Sequence, residues 1–310
     1  MSKDWIIQIS DPKTGRTSCI HGYTFDANGA GAARVCNDKV ATSMVLDAHG
    51  VPNIPHILLL DPGNPFTKAY VPPEGNLMRL RALADKVGLP IVLKPLDGTG
   101  GFGVTKCACW RDVEGTVQSL FTRGYGIAAS PFKAVVDEYR CLYVLGDVRV
   151  TYRKIRSHLV GDGISKLSVL VARAIEEALD PAAAAGIAAA AEGFTKEAWL
   201  RVPAEGEKVI LQWRHNLGLG AAMSLDIPAE MDQELRVVAS SAARAIGVRF
   251  CSVDVAHVQN EGLQVMEVNS GVMMDSLIDQ LGSEGVRLAA QTYEAVLLET
   301  LGLPTTEIDI

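Results

Sequence analysis

Four glycines in six residues (Gly98, Gly100, Gly101 and Gly103) separate two runs that read as β-strands, 91–95 and 104–110. A glycine loop flanked by strands limits this chain more than any other segment. Such a loop accepts left-handed backbone and lets its N–H groups approach an anion closely. Gly98, Gly100 and Gly103 satisfy G-x-G-x-x-G, but the dinucleotide-binding version needs a helix directly after the loop. Here Val-Thr-Lys-Cys-Ala-Cys-Trp follows, which is strand-like. A P-loop ends in Gly-Lys-Ser/Thr, and Gly103-Val104-Thr105 lacks the lysine. A protein-kinase loop precedes its lysine, whereas Lys94 comes before this one, and no His-Arg-Asp or Asp-Phe-Gly triplet follows. What remains is a hairpin whose backbone can close over phosphate oxygens, with Lys94 projecting from the strand ahead of it. A plain glycine-rich surface turn accounts poorly for so many glycines.

A second constellation is DVAHVQNEGLQVMEVNS. Asp254 lies between two valines, and Glu267 and Asn269 alternate with Met266 and Val268, so period-two geometry puts Glu267 and Asn269 on one face. With an Asn260-Glu261 turn, Asp254 pairs with Glu267; with a Glu261-Gly262 turn, it pairs with Asn269. Either two-residue turn puts all three oxygen-bearing side chains on the same face, and a three-residue loop does not. Hard oxygen ligands of this kind suit Mg²⁺, at about 2.1 Å each. The competing reading is the solvent face of a half-exposed hairpin.

A third group, Arg140, Arg153, Lys154 and Arg156, lies on or just after an expected hairpin, ahead of Gly161-Asp162-Gly163. Arginine suits bidentate contact with carboxylate or phosphate. Composition narrows the class of ligand. The 310 residues are 48% hydrophobic and 21% charged, with a net charge of −7 and no run of Lys or Arg. That is a globular composition without the clustered cations that nucleic acids require. No apolar stretch is long enough for a membrane span, which needs about 20 residues, and MSKDWIIQIS does not read as a signal peptide. The six scattered cysteines contain no C-x-x-C pair and read as reduced structural thiols, with Cys107 and Cys109 alternating on the strand 104–110. A cytoplasmic setting is expected.

Breakers organise the rest. The proline- and glycine-rich segment 61–75 precedes a helix at 76–87. A hairpin is expected over 134–153, turning at Gly146-Asp147, and helices over 165–179 and 181–191, the latter capped by Asp180 with Pro181 in the first turn. A helix over 228–246, a second hairpin from 250–257 and 263–268, and a closing helix over 285–301 complete the chain. Hairpins interleaved with helices indicate an α+β fold with antiparallel sheets.

The ordered set Asp38-Lys39, Lys94-Pro95, the glycine loop, Glu138-Tyr139-Arg140, Gly161-Asp162-Gly163, Arg214-His215-Asn216-Leu217, Asp254 and Glu267-Val268-Asn269 resembles the ATP-grasp superfamily. Within it the chain looks most like the ATP-grasp modules of cyanophycin synthetase and of bifunctional glutathione synthetases, over roughly residues 28–282. The resemblance implies two antiparallel-sheet subdomains clamping ATP, divided as a reduced N-terminal segment 1–75, a glycine-loop subdomain 76–145 and a metal-bearing subdomain 146–310. It implies that Lys39 and Lys94 bind ATP phosphates under Gly98, Thr99, Gly100, Gly101, Phe102 and Gly103. Ser130, Pro131, Phe132 and Lys133 would form the hinge that reads adenine, with Glu138 on the ribose. Arg140 would neutralise the transferred phosphoryl group or the acyl phosphate, with Asn216 beside the same phosphates. Asp254, Glu267 and Asn269 would hold two Mg²⁺ ions, or Mn²⁺ in their place. Lys154, Arg156 and Arg214 would meet substrate carboxylates.

Three departures concern the substrate side. Only 37 residues precede Asp38, Lys166 stands where a threonine is usual, and Gly218-Leu219-Gly220-Ala221 breaks a common glycine pair. The expected activity is an ADP-forming ligase that joins a small-molecule carboxylate to an amine. An ATP-grasp kinase and a non-catalytic nucleotide-binding subunit are the alternatives, and a homodimer or a larger synthetase partner is compatible with the shortened N-terminus.

Overall fold

Sheets form where the sequence alternates or runs apolar, and helices with one apolar stripe cover them. The computed structural model describes residues 2–3, 5–98, 100–178, 181–191, 193–215, 217 and 221–304. By contacts the chain divides into two units, Met1–Tyr152 with Asp226–Ile310, and Arg153–Leu225.

The first unit opens with β1 (Ser2–Lys3), β2 (Ile6–Ser10), β3 (Thr17–His21) and β4 (Thr24–Phe25), an antiparallel meander. Helices α1 (Ala30–Cys36) and α2 (Lys39–Ala48) follow. Asp38 caps α2, its Oδ1 accepting the N–H groups of Val40 at 2.9 Å and Ala41 at 2.8 Å, which makes Lys39 the first helical residue. The next stretch gives β5 (Ile57–Leu59), α3 (Asn76–Val87), β6 (Ile91–Pro95), β7 (Thr105–Cys107), α4 (Trp110–Thr122) and β8 (Ile127–Pro131). Its sheet runs β5-β8-β6-β7. Leu59, Ile91, Leu93 and Ala129 pack there against Leu80 of α3 and Val113 and Leu120 of α4.

Helix α3 has the expected bounds. The strand expected over 104–110 does not run that far: it ends at Cys107, and Cys109 is the N-cap of α4. Asp112 explains the change, since its Oδ2 accepts from the N–H groups of Ala108 at 3.0 Å and Cys109 at 3.1 Å and so starts the helix.

β9 (Val135–Val144) and β10 (Asp147–Ile155) form the expected hairpin, but it turns one residue earlier than Gly146-Asp147, through Leu145 and Gly146 at φ 53° and 115°. After the second unit the chain returns with α8 (Ala229–Ile246), β14 (Phe250–Val258), β15 (Gly262–Asn269), α9 (Asp275–Leu281) and α10 (Ser283–Leu301). Within the first unit the second sheet runs β10-β9-β14-β15. Its core packs Tyr139, Cys141, Val253 and Val255 against Leu46 of α2 and Leu235, Ala239 and Ala242 of α8. The closing helix expected over 285–301 is α10, which begins two residues earlier, and an additional short helix, α9, precedes it. Gly282, at φ 57°, makes the break, and a Cβ on Gly285 would collide with the Leu277 carbonyl.

The second unit holds β11 (His158–Val160), α5 (Leu167–Glu176), α6 (Pro181–Ala191), α7 (Lys196–Leu200), β12 (Lys208–Ile210) and β13 (Ala222–Ser224). β11 pairs with β12, β13 pairs with residues 153–155 of β10, and Leu167, Val171, Ala191 and Val209 form the core. Helix α5 starts two residues later than expected, and the expected cap Asp180 lies outside the described residues. Pairings between named strands are antiparallel, and the fold is α+β.

Candidate functional site

The β14–β15 hairpin turns through three residues, with Val258 paired to Gly262. The sequence argument required a two-residue turn, and that requirement is corrected here. Continued regularly from a three-residue turn, the ladder would place Asp254 opposite Met266 and send Glu267 to the other face. A β-bulge removes the problem. Val255 pairs with Val265 but Asp254 pairs with Glu267, so Met266 is the extra residue. Beyond the bulge Ser252 pairs with Asn269, and the Asn269 amide donates to Glu267 Oε1 at 3.2 Å.

Asp254 also faces Arg140 across the β9–β14 ladder. Arg140 donates through Nε to Oδ1 at 2.7 Å and through Nη2 to Oδ2 at 2.8 Å, a bidentate pair in which Asp254 is 4% exposed. Burial works against the guanidinium charge, but Asp254, by Coulomb attraction and these hydrogen bonds, holds its pKa well above the ordinary value. Two carboxylates and one amide are a donor set of the type a hard divalent cation takes, through oxygen. The set relies on Asn269, because among the described residues no three His, Cys, Asp or Glu side chains cluster as a metal site.

Lys94, on β6, belongs to the same unit. Burial lowers its pKa to about 8; Glu267 opposes the shift, Lys39 adds to it and Glu138 opposes it. These four charges therefore share one electrostatic neighbourhood. Lys39 projects from the first turn of α2, and its ammonium donates to the Gly98 carbonyl at 2.7 Å, tying that helix to the glycine loop. Gly100, Gly101 and Gly103 hold φ of 64°, 73° and 69°. A Cβ on Gly98 or Gly103 would stand 2.9 Å from Pro95, so the loop folds back on the proline that follows Lys94. Phe102 is exposed, and Thr99 lies outside the described residues. Glu138 is buried on β9, opposite Ala256.

Ser130 and Pro131 end β8, and Phe132 and Lys133 continue from it. Ser130 is buried and pairs with Val92, Pro131 pairs with Ile91, and the Phe132 N–H donates to the Pro90 carbonyl at 3.3 Å. The Lys106 ammonium stands 3.8 Å from the Phe132 ring centroid. Lys133 is engaged by Glu261 at 2.6 Å.

In the second unit Lys154 is buried on β10, with Arg156 just beyond the strand. Arg214 is partly buried, its guanidinium 5.9 Å from the Trp213 ring centroid. Asn216 lies outside the described residues. Two buried histidines were assigned no role from the sequence. His215 is buried, and burial together with the Arg156 and Lys154 charges lowers its pKa to about 4. His56 is buried in the first unit, where desolvation and then the charges of Lys94 and Lys39 keep it neutral. The signal for His56 lay in Ile57-Leu58-Leu59, a short strand obscured by its neighbouring prolines.

A RimK-like ATP-grasp domain model matches residues 201–295. The glutathione biosynthesis bifunctional protein of Streptococcus agalactiae is 25% identical over 233 residues, which cover 70% of this chain and 28% of that protein. Cyanophycin synthetase of Geminocystis herdmanii is 25% identical over 195 residues, covering 56% of this chain and 21% of that one. The chain thus spans only about a quarter of the length of these curated relatives. A crystal structure of a bifunctional glutathione synthetase from Pasteurella multocida superposes with a TM-score of 0.54 at 17% identity, covering 96% of this chain and 41% of that one. D-alanine–D-alanine ligase from Bacillus anthracis gives 0.56 at 16%, covering 88% and 71%. The strand–glycine loop–strand hairpin, the acidic hairpin after it, the domain match and the shared fold all agree: over residues 201–295 the chain matches a RimK-like ATP-grasp domain, and as a whole it is similar to ATP-grasp ligases in sequence and fold.

Proposed function

We propose that the chain is an ADP-forming ligase that joins a carboxylate, from an amino acid or peptide, to an amine through an acyl phosphate. The observation that carries this reading is the electrostatic grouping of Lys94 and Lys39 with Glu267, whose hairpin also holds Asn269 and the Arg140-bound Asp254. Cations for phosphate beside oxygen donors for a divalent ion suit phosphoryl transfer, which proceeds mainly by positioning and electrostatic stabilisation. Lys39 and Lys94 would bind ATP phosphates, residues 98–103 would cover them and exclude water, and residues 130–133 with Glu138 would receive adenosine. Asp254, Glu267 and Asn269 would hold Mg²⁺, which when bound supplies charge neutralisation at the triphosphate. Arg140, fixed by Asp254, would meet charge developing on the transferred group. Lys154, Arg156 and Arg214 would supply cations for substrate carboxylates. Relatives named for glutathione and cyanophycin synthesis support the ligase class.

In the proposed step a carboxylate oxygen attacks the γ-phosphorus and the bond to the β–γ bridging oxygen breaks, releasing ADP. The amine then attacks the acyl carbon, and phosphate departs carrying one former carboxylate oxygen. A screen of amino acids and short peptides for ADP release would find the substrate pair. Heavy oxygen placed in that carboxylate should then appear in free phosphate. Labelled AMP, or a stable phosphorylated product, would overturn the reading.

A further inference from the structure

His56 is 8% exposed, and among the described residues neither ring nitrogen has a hydrogen bond of regular geometry; the Ile54 backbone acts on the ring only as the smallest of its electrostatic influences. Buried polar atoms are almost always paired, because leaving one unmet costs about 1–3 kcal/mol. The backbone of the same residue is well anchored. Its N–H donates to Ser43 Oγ at 3.1 Å, and Ser43 Oγ in turn donates to Asn53 Oδ1 at 3.0 Å. Two residues earlier, Ile54 N–H donates to the Val265 carbonyl of β15 at 3.0 Å. The position is therefore fixed between the two sheets of the first unit, while the ring nitrogens are left without a regular hydrogen bond to any described residue.

The register shows where the ring points. Ile57 pairs with Ala129 and Leu59 with Ile127, and these four residues belong to the core beneath the β5-β8-β6-β7 sheet. By alternation His56 lies on the opposite face. Lys94 lies on that face too, because Leu93, its neighbour, points into the core. Continuing the register places His56 beside Ser130. The Lys94 and Lys39 charges both disfavour protonation of the imidazole.

We infer that His56 is a nucleotide-binding residue whose imidazole N–H donates to a phosphate oxygen held by Lys39 and Lys94. The inference rests on the proposed assignment of those lysines to phosphate. It accounts for an orphaned imidazole in an otherwise anchored segment, because functional groups are where local stability rules are broken. The test combines apo stability with ligand affinity. His56→Leu removes the unmet nitrogens and should leave the nucleotide-free melting temperature unchanged or raised. The same variant should weaken ATP and ADP binding by at least about tenfold, as expected for a hydrogen bond to a charged group. Adenosine, measured by competition against a fluorescent nucleotide analogue without metal, should bind unchanged. His56→Gln, which keeps an N–H donor, should recover part of the loss and also serves if the leucine variant does not fold. A lowered apo melting temperature with unchanged ATP affinity would make His56 structural, and equal losses for adenosine and ATP would move its contact to the base; either overturns the inference. Lys94→Ala separates the two assignments. If it weakens ATP binding while His56→Leu does not, only the histidine inference falls; if the wild-type chain binds no ATP, both fall.

Discussion

Asp254 and Arg140 face each other across β14 and β9 and are joined by two hydrogen bonds of 2.7 and 2.8 Å. Both carboxylate oxygens are engaged, so Asp254 fixes the guanidinium in place before any ligand arrives. Asp254→Asn should leave a largely buried arginine without its counter-charge and lower stability by about 3 kcal/mol in urea unfolding. Replacing both residues with apolar side chains of similar volume should recover most of that loss. A cost under about 0.5 kcal/mol for Asp254→Asn would mark the pair as an ordinary surface contact.

Glu267 should behave in the opposite way. Among the described residues its side chain accepts a hydrogen bond from the Asn269 amide, at 3.2 Å. Glu267→Gln keeps the shape and should change stability by less than about 0.5 kcal/mol. Removing a preorganised charge from the reacting site should cut turnover by on the order of a hundredfold. Calorimetry should also show weaker divalent-ion binding. Near-normal turnover at limiting Mg²⁺ would return Glu267 to the status of a surface hairpin residue.

Lys94 sets an expected pH profile. With its pKa lowered to about 8 in the folded protein, Lys94 is charged below that pH and increasingly neutral above it. ATP affinity, measured without metal, should therefore fall as pH rises through about 8. Lys94→Arg should remove that dependence, since arginine stays charged. The stability sign is the reverse. Between about 8 and the ordinary lysine value of 10.5 the unfolded chain binds more protons, so this group makes the protein more stable as pH rises across that window. ATP affinity flat from pH 7 to pH 10 would contradict the assignment of Lys94 to phosphate.

Local pattern determined a good deal of this. Gly98 to Gly103 between two strands, helix Asn76–Val87 with its apolar stripe, and the alternation of Glu267 with Asn269 were all legible, because each depends on residues within one turn or one strand of each other. α4 was missed because a capping carboxylate at Asp112 outweighed the β-branched and cysteine residues before it. Only the tertiary structure decided the rest. The turn of β14–β15 has three residues, and the bulge at Met266, which keeps Glu267 opposite Asp254, can be seen only once both strands are paired. The Arg140–Asp254 pair joins residues 114 positions apart, and the anchoring of His56 through Ser43, on the sheet face it shares with Lys94, depends on three separate segments meeting. Backbone periodicity is a short-range property that a sequence displays directly, whereas register shifts and long-range side-chain partners are settled by packing.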